Sequence, residues 1–273
     1  MLFDQGVLRG HTALVTGGGT GICRGIALAL ASFGCDVAVT SRRREHLEST
    51  AEAVARYGVR ALALPADVRD PGAVTNVVDQ TASTFGRLDI VVNGAAGNFA
   101  CLAENLTPNG FGAVVDIDLK GTFNVSRAAF PHLKTNGGAI VNISATLPYL
   151  GTVGQAHAAA AKAGVDSLTR TLAAEWGRYG IRVNGVAPGP TAGTEGVRRL
   201  TGDGAVDSVI RKCPLGRLAN IDDVSSAVVF LCSGAASFVT GVTLVVDGGL
   251  WLYSDRVASA LPGEARPQAD GQP

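Results

Sequence analysis

A glycine-rich turn near the start of the chain has the residue types and spacing of a phosphate-binding loop. Residues 17–21 follow an apolar run at 12–15 and precede an apolar, helix-like segment at 25–33. Glycine permits positive φ and a close approach of the backbone to a pyrophosphate, whose charge is favoured by the free N–H groups at a helix start. The pattern therefore predicts a dinucleotide site. A tight strand-to-helix turn that binds no ligand is the alternative.

The elements expected to hold this loop alternate between strand and helix along the chain. Strand-like apolar runs are predicted at 12–15, 36–40, 60–64, 90–93, 139–143, 182–186 and 243–246. Helical segments are predicted at 25–33, 45–57, 73–85, 110–133, 156–179 and 221–231. This alternation is typical of a parallel sheet covered on both faces. The predicted fold is α/β, a Rossmann-type doubly wound sheet in a single domain, residues 1–258, followed by a flexible tail, 259–273.

Composition restricts the classes of partner. The 273 residues are 47% hydrophobic, which is ample for a buried core, and 23 basic residues balance 23 acidic ones. With no net charge, we expect no attraction to nucleic acid or to a membrane surface. Five widely spaced cysteines lack metal-ligand spacing, so we expect reduced core cysteines and no metal site. Neither a signal segment nor a long apolar run is evident, and cytoplasm is the expected compartment.

Several ordered motifs make the chain resemble the short-chain dehydrogenase/reductase family from Thr12 to about Trp251. The motifs are Thr16-Gly17-x-x-x-Gly21-Ile22, Asp67-Val68, Asn93-Gly94-Ala95-Ala96-Gly97, Lys162, Pro188-Gly189 and Asp247-Gly248-Gly249. The resemblance implies a nicotinamide cofactor along the carboxyl ends of the strands and, usually, a homotetramer. It assigns cofactor binding to Gly17, Gly19, Thr20, Gly21, Ile22, Asp67, Val68, Asn93, Ala95, Lys162, Pro188 and Gly189. Cys23 departs from the expected third glycine of the loop and is expected to loosen the site slightly.

The end of the second predicted strand indicates which nicotinamide cofactor is used. The carboxylate that would accept hydrogen bonds from the ribose hydroxyls of NAD is absent there. Ser41 and Arg42 stand in its place, with Arg43 beside them. A hydroxyl and a guanidinium suit a 2′-phosphate, so NADPH is the predicted cofactor. A solvated basic start to the following helix is the alternative.

The residues that usually carry out alcohol chemistry in this family are missing. Counting back from Lys162, which is expected to hold the nicotinamide ribose, places Ala158 at the usual tyrosine position and Ala145 at the usual serine position. Ketone reduction needs a phenol whose pKa is lowered by a nearby ammonium, and alanine cannot supply it. Ordinary alcohol dehydrogenation is therefore not expected. The usual asparagine of the long central helix is also replaced, here by Asp118.

These losses resemble the pattern of the peroxisomal type of 2,4-dienoyl-CoA reductase within the family. The matching runs are 95–99, 116–118, 121–127, 187–190 and 193–196, together with the tyrosine-free stretch 145–162. The resemblance implies NADPH-dependent reduction of a 2,4-dienoyl-CoA thioester to a 3-enoyl thioester, which supports the β-oxidation of unsaturated fatty acids. It also implies that Asp118 and Asp247 are catalytic and polarise a water that gives the proton, and that Lys162 is the third catalytic residue, which adds positive charge.

The physical chemistry of two neighbouring carboxylates agrees in part with that role, because like charges in a poorly solvated pocket can share a proton. The alternatives are a helix residue satisfied by nearby N–H groups for Asp118 and a turn acid for Asp247. The mitochondrial type of the enzyme has a tyrosine at the position of Leu147, whereas Tyr149 here is out of register and is a competing donor. His157, beside the missing tyrosine, is a further candidate donor, although a lone histidine on an apolar helix is more often structural.

Substrate contacts are assigned to two segments. CoA carries phosphates, so Arg198 and Arg199, in the loop that usually covers the substrate, are expected to face them. An exposed helix turn is the alternative for this pair. Asn98 and Phe99 complete the predicted substrate site, with Phe99 and Leu147 along the acyl chain.

Two other functions stay open. An enoyl-thioester reductase acting on CoA or carrier-protein substrates in a biosynthetic pathway would share these losses and would prefer a 2-enoyl over a 2,4-dienoyl substrate. A catalytically inactive NADP-binding protein is suggested by Cys23, Ala145 and Ala158. It would bind NADPH and turn over no thioester.

Overall fold

The computed structural model describes residues 4–194 and 205–252, in which the strands form one seven-stranded parallel sheet. The strands are β1 (Thr12–Thr16), β2 (Asp36–Ser41), β3 (Ala61–Pro65), β4 (Ile90–Asn93), β5 (Gly138–Ile143), β6 (Ile181–Pro188) and β7 (Thr243–Val246). They lie in the order β3-β2-β1-β4-β5-β6-β7. The Rossmann-type, doubly wound fold predicted from the sequence is thereby confirmed. The predicted tail and its boundary at 258 lie outside the described residues.

Eight α-helices are described in these ranges. They are α1 (Gly21–Ser32), α2 (Arg44–Ala55), α3 (Pro71–Phe85), α4 (Pro108–Val115), α5 (Gly121–Asn136), α6 (Ala156–Trp176), α7 (Ala205–Lys212) and α8 (Ile221–Cys232). The start predicted for α1 was four residues too late, because Thr20 is extended and the helix begins directly at Gly21. Helix α7 was not predicted. None of the described helices is both long and apolar enough to cross a membrane.

The two faces of the sheet bury separate apolar clusters. Val15, Val39 and Val92 belong to the cluster that packs against α1 and α8. The residues next to these in the strands point to the opposite face. Leu14 and Ala38 there belong to the cluster beneath α3 and α5. Because both faces are covered, the strands carry near-continuous apolar runs, which is why their positions could be predicted closely.

The direction of the strands places the predicted site. All neighbouring strand pairs are parallel, so their carboxyl ends lie along one edge of the sheet. The order reverses between β1 and β4, since β2 and β3 lie on one side of β1 and β4 to β7 on the other. In doubly wound sheets a crevice forms at this reversal, outside the carboxyl ends, and ligands bind there.

Candidate active site

The glycine loop between β1 and α1 has the shape of a phosphate cradle. Gly17 and Gly21 have φ of +70° and +56°, which side-chain-bearing residues rarely adopt. A Cβ at Gly17 would lie 2.8 Å from the carbonyl oxygen of Gly94, so this turn also requires glycine for close packing. Thr20 precedes α1 without capping it through its side chain, which leaves the first-turn N–H groups for a ligand.

Cys23 fits into α1 because residue 94 is a glycine. Its side chain is 6% exposed, and Sγ donates a weak hydrogen bond to the Gly94 carbonyl oxygen at 3.5 Å. Burial raises the pKa of the Cys23 thiol to about 12, so the thiol is neutral and acts as a packing group. Close packing of α1 against α8 occurs instead at Gly25, where a Cβ would collide with the Ile221 side chain.

The residues predicted to hold the adenosine end adjoin the glycine loop. A Cβ at Gly19 would lie 3.3 Å from Ser41 Oγ, so the loop and the end of β2 are in contact distance. Arg42 is exposed and makes no hydrogen bond or ion pair with the described residues. Hydrogen bonds from Arg69 lower the pKa of the Asp67 carboxyl, and the charge of Arg42 contributes in the same direction. Arg42 and Asp67 are thus electrostatic neighbours at the ends of β2 and β3.

Other predicted cofactor residues position the strand ends. The side-chain nitrogen of Asn93 donates to Asn142 Oδ1 at 2.8 Å and to Ser126 Oγ at 2.9 Å, which ties β4 to β5 and α5. Ala95 N–H donates to Thr16 Oγ1, and the Val68 carbonyl accepts from Asn124. Gly189, after Pro188, packs so closely that a Cβ would lie 2.6 Å from Asp247 Cβ. Their direct contacts with a cofactor stay predictions.

Asp118 lies in a π-helical turn, Asp116–Lys120, which joins α4 to α5 and was not predicted. Such turns shift the register of a helix by one residue and are frequent at functional sites. The Asp118 side chain is 2% exposed. Its Oδ1 accepts a hydrogen bond from Gly97 N–H at 2.8 Å, and Oδ2 lies 3.1 Å from Lys162 Nζ. The structure therefore brings the predicted acid and the predicted lysine into contact.

Lys162 bridges two parts of the site from α6. Its side chain is 10% exposed, and Nζ donates to the carbonyl oxygen of Ile143 at 2.8 Å as well as pairing with Asp118. Ile143 ends β5, so the ammonium links the strand end to the π-helical turn. Two of its three N–H directions are thereby used. The arrangement holds a buried carboxylate next to a cation, at the edge of the sheet where substrate is expected.

Asp247 lies in a different environment from Asp118. Its Oδ1 accepts from Gly249 N–H and its Oδ2 from Trp251 N–H, both at 2.8 Å. No hydrogen bond or ion pair joins Asp247 to Asp118 within the described ranges. These bonds favour the alternative recognised in the sequence, a turn acid that caps the short helix Leu250–Leu252. A catalytic role for Asp247 stays a prediction.

Tyr149 contacts Asp166, which lies one helical turn beyond Lys162 on α6. Its hydroxyl donates to Asp166 Oδ2 on α6 at 2.7 Å, and Asp166 Oδ1 accepts from Thr243 Oγ1 at 3.1 Å. Burial and the Asp166 carboxylate raise the pKa of Tyr149 from 10.0 to about 12. A phenol that is a weaker acid and already hydrogen-bonded is poorly suited to supply the catalytic proton.

We expect Tyr149→Phe to change kcat by less than about twofold, because the phenol is hydrogen-bonded to Asp166 and not to Asp118 or Lys162. The same variant should be less stable than the unsubstituted protein at pH 8, and this difference should shrink at pH 11. A pKa raised in the folded state favours the protonated phenol, so its contribution to stability is intact below pH 10 and falls as pH rises towards about 12. Denaturant unfolding of both proteins at pH 8 and pH 11 checks this. A loss of kcat comparable to that of Asp118→Asn would contradict the assignment.

Two of the four predicted substrate-binding residues, Asn98 and Phe99, lie in the described part of the chain. Phe99 lies after β4 and is 41% exposed, and its ring packs edge to face against the imidazole of His157, with centroids 4.4 Å apart. Asn98 Oδ1 is buried without a hydrogen-bond partner among the described residues. Leu147 packs with Ala158 in a small apolar cluster beside the site. Arg198 and Arg199 lie outside the described residues.

A family model and several known reductases match this chain. The family model described as enoyl-(acyl carrier protein) reductase matches residues 17–251. A (3E)-enoyl-CoA-producing peroxisomal 2,4-dienoyl-CoA reductase of Danio rerio is 46% identical, over 96% of this chain and 88% of that protein. Its counterpart in Arabidopsis thaliana is 44% identical, over 96% of this chain and 91% of that protein.

A bacterial relative and a solved structure extend the comparison. A probable (2E)-enoyl-CoA-producing 2,4-dienoyl-CoA reductase of Bacillus subtilis (strain 168) is 42% identical, over 88% of this chain and 96% of that protein. The crystal structure of a putative short-chain alcohol dehydrogenase from Sinorhizobium meliloti 1021 superposes with a TM-score of 0.87 at 35% identity. The superposition covers 92% of this chain and all of that chain.

Proposed function

The chain belongs to the short-chain dehydrogenase/reductase family, and we propose that within it the protein reduces 2,4-dienoyl-CoA thioesters with NADPH. The observation that carries the proposal is the buried pair of Asp118 and Lys162, with alanine at the positions of the family's usual tyrosine and serine. This site has an acidic residue but lacks the tyrosine and serine that alcohol oxidation or ketone reduction uses. Relatives at 44% and 46% identity are named for the same reaction.

The residues of the site fit nicotinamide adenine dinucleotide phosphate. The glycine loop offers a turn that a Cβ would obstruct, with uncapped N–H groups for the pyrophosphate. Ser41 and Arg42 would hold the 2′-phosphate, and Lys162 the nicotinamide ribose. When bound, NADPH supplies the hydride.

The protein's part in the reaction is to direct a proton and to stabilise negative charge. A 2,4-dienoyl thioester that gains hydride at C5 becomes a dienolate, with charge on the thioester oxygen. Protonation at C2 then leaves the double bond at C3, whereas protonation at C4 leaves it at C2. Asp118, held by Gly97 N–H and Lys162, would polarise the water that protonates C2. The product is then a 3-enoyl-CoA, as in the names of the animal and plant relatives.

Comparison of two substrates tests the proposed function. We expect NADPH oxidation with hexa-2,4-dienoyl-CoA at a kcat/KM at least about 100-fold above that with crotonyl-CoA, because a single conjugated double bond offers no C5 to the hydride. A preference for crotonyl-CoA would instead support an enoyl-thioester reductase. NADPH binding without turnover of either thioester would support an inactive binding protein.

Cofactor preference depends on Arg42. We expect Arg42→Ala to weaken NADPH binding about 10-fold and leave NADH binding nearly unchanged, since the guanidinium is assigned to the 2′-phosphate. Arg44→Ala is the matched control, because Arg44 pairs with Glu48 at 3.5 Å one helical turn further on. Fluorescence titration of both variants with both cofactors provides the measurement. Equal dissociation constants for NADPH and NADH in the unsubstituted protein would contradict the assignment.

A homotetramer is the proposed assembly. Strand β7 lies at the edge of the sheet, and the exposed residues near it include Leu215, Phe238, Val242, Leu244 and Leu252. A cavity of about 420 Å³ runs beside them, lined by Leu215, Val246 and Trp251 among others. An apolar patch along an unpaired strand edge is typical of an interface. Light scattering at micromolar concentration should give four times the chain mass of 27.8 kDa.

The compartment stays a prediction. Cytoplasm is expected from the sequence, whereas the animal and plant relatives carry the word peroxisomal in their names. Fractionation of cells expressing the native chain distinguishes the two compartments.

A further inference from the structure

His157 is completely buried at the second position of α6, directly before the vacant tyrosine position. Its Nδ1 accepts a hydrogen bond from Ala158 N–H at 2.8 Å. Ala158 N–H is one of the first-turn donors that no helical carbonyl can satisfy, which explains why the imidazole folds back onto its own helix. The first ring nitrogen therefore has a structural partner.

The second ring nitrogen has none. With Nδ1 accepting, the proton of a neutral imidazole lies on Nε2, which makes Nε2 a hydrogen-bond donor. Nε2 is buried and meets no acceptor in the part of the chain that the structure describes. A buried donor without a partner destabilises the fold, so we expect a bound ligand to supply the acceptor.

The surroundings of His157 indicate which acceptor that is. Phe99, predicted to contact the acyl chain, lies edge to face against the imidazole. Asn98, also predicted to contact substrate, has an unpartnered buried side-chain oxygen. His157 thus borders the segment where the thioester is expected.

The proposed reaction requires a hydrogen-bond donor to the thioester oxygen, and few other polar groups near the site are free to provide it. Negative charge develops on the thioester oxygen, and a positioned donor there is worth a large part of the rate. The family's usual hydroxyl donors are replaced by Ala145 and Ala158. The Tyr149 hydroxyl donates to Asp166, and Lys162 binds Asp118 and the Ile143 carbonyl.

We infer that Nε2–H of His157 donates a hydrogen bond to the carbonyl oxygen of the substrate thioester and stabilises the dienolate. The inference rests on the proposed function. The ring of Phe99 packs against the imidazole, so this hydrogen bond requires the Phe99 ring to move aside. Ser144 competes for this role, since its buried hydroxyl also lacks a partner among the described residues.

Three substitutions test the role in turnover. His157→Phe keeps an aromatic ring against Phe99 and removes the donor, so we expect kcat to fall about 100-fold with hexa-2,4-dienoyl-CoA. His157→Gln can place an amide N–H near the position of Nε2, whereas His157→Asn reaches only the position of Nδ1. His157→Gln should therefore retain at least about fivefold more kcat than His157→Asn. This pair carries the test if His157→Phe fails to fold.

Binding of two unreactive ligands separates a contact with the oxygen from a general structural role. Hexanoyl-CoA has the thioester carbonyl. S-hexyl-CoA is a thioether with a CH₂ group in place of that carbonyl. In the presence of NADP⁺, His157→Phe should bind hexanoyl-CoA about 3- to 10-fold more weakly and S-hexyl-CoA unchanged, by calorimetry. Ser144→Ala should leave both affinities unchanged.

The outcomes are distinct. Equal weakening of both ligands by the His157 substitutions, a kcat within threefold of the unsubstituted protein, or loss of the oxygen preference in Ser144→Ala overturns the inference. Absence of dienoyl-CoA turnover in the unsubstituted protein overturns the proposed function, and the inference with it. Turnover by the unsubstituted protein together with full activity of His157→Phe overturns the inference alone.

Discussion

Asp118→Asn lowers kcat with a 2,4-dienoyl-CoA substrate by about 10²- to 10⁴-fold and leaves the dissociation constants of NADPH and acyl-CoA nearly unchanged. The asparagine oxygen can still accept from Gly97 N–H, so the backbone contact of the π-helical turn is retained. What is lost is the carboxylate that we propose polarises the water. An interaction made in the transition state appears in kcat, because ground-state binding does not depend on it.

Asp247→Asn is the matched control for this substitution. Its two oxygens accept from Gly249 and Trp251 N–H, so we expect lower thermal stability and a kcat within about threefold of the unsubstituted protein. Steady-state kinetics and thermal unfolding of both variants provide the comparison. Retention of activity in Asp118→Asn, with loss in Asp247→Asn, would reverse the assignment of the acid.

Lys162→Ala is expected to weaken NADPH binding and turnover together and to destabilise the fold by about 3 to 5 kcal/mol. The substitution leaves the Asp118 carboxylate, 2% exposed, with Gly97 N–H as its remaining described partner. An uncompensated charge in that position is costly, whereas replacing both partners removes the cost. The double variant Asp118→Asn/Lys162→Met should therefore recover much of the lost stability while remaining inactive.

Lys120→Ala is the control, because it removes an exposed ion pair in the π-helical turn that also contains Asp118. Lys120 pairs with Asp116, but their side chains are 68% and 41% exposed, so we expect less than about 1 kcal/mol. Denaturant unfolding gives the free energy of unfolding of the unsubstituted protein, Lys162→Ala, Lys120→Ala and the double variant. Titration with NADPH gives the dissociation constant of the cofactor. A Lys162→Ala variant as stable as Lys120→Ala would show that the buried pair is not a strong constraint on the site.

Most of the fold could be predicted from the sequence because its signals are local. The strands are short apolar runs between turn residues, and the glycine loop marks the first βα turn unmistakably. The later start predicted for α1 has a local cause too, since glycine at 21 and 25 weakens a helical pattern that nevertheless begins at Gly21. Helix α7 was missed although Val206, Val209 and Ile210 have helical spacing, because a segment of eight residues gives only one such repeat.

The geometry of the site could be predicted less completely because it depends on contacts between distant elements. No residue pattern distinguishes the π-helical turn at Asp116–Lys120 from the α-helix on either side. The partners of Tyr149 and Asp247 were also undetermined, since a carboxylate or phenol in a sequence does not show which N–H or oxygen it faces. An Asp-Gly pair did indicate the turn that Asp247 caps.

Reduction in D₂O by the unsubstituted protein reports where the proton is added, because solvent deuterium marks the carbon that is protonated. The protein, NADPH and hexa-2,4-dienoyl-CoA are mixed in D₂O, quenched early, and the acyl product is analysed by NMR. We expect hex-3-enoyl-CoA carrying one solvent deuterium at C2. Recovery of unreduced dienoyl-CoA, or a hex-2-enoyl product with deuterium at C4, would contradict it.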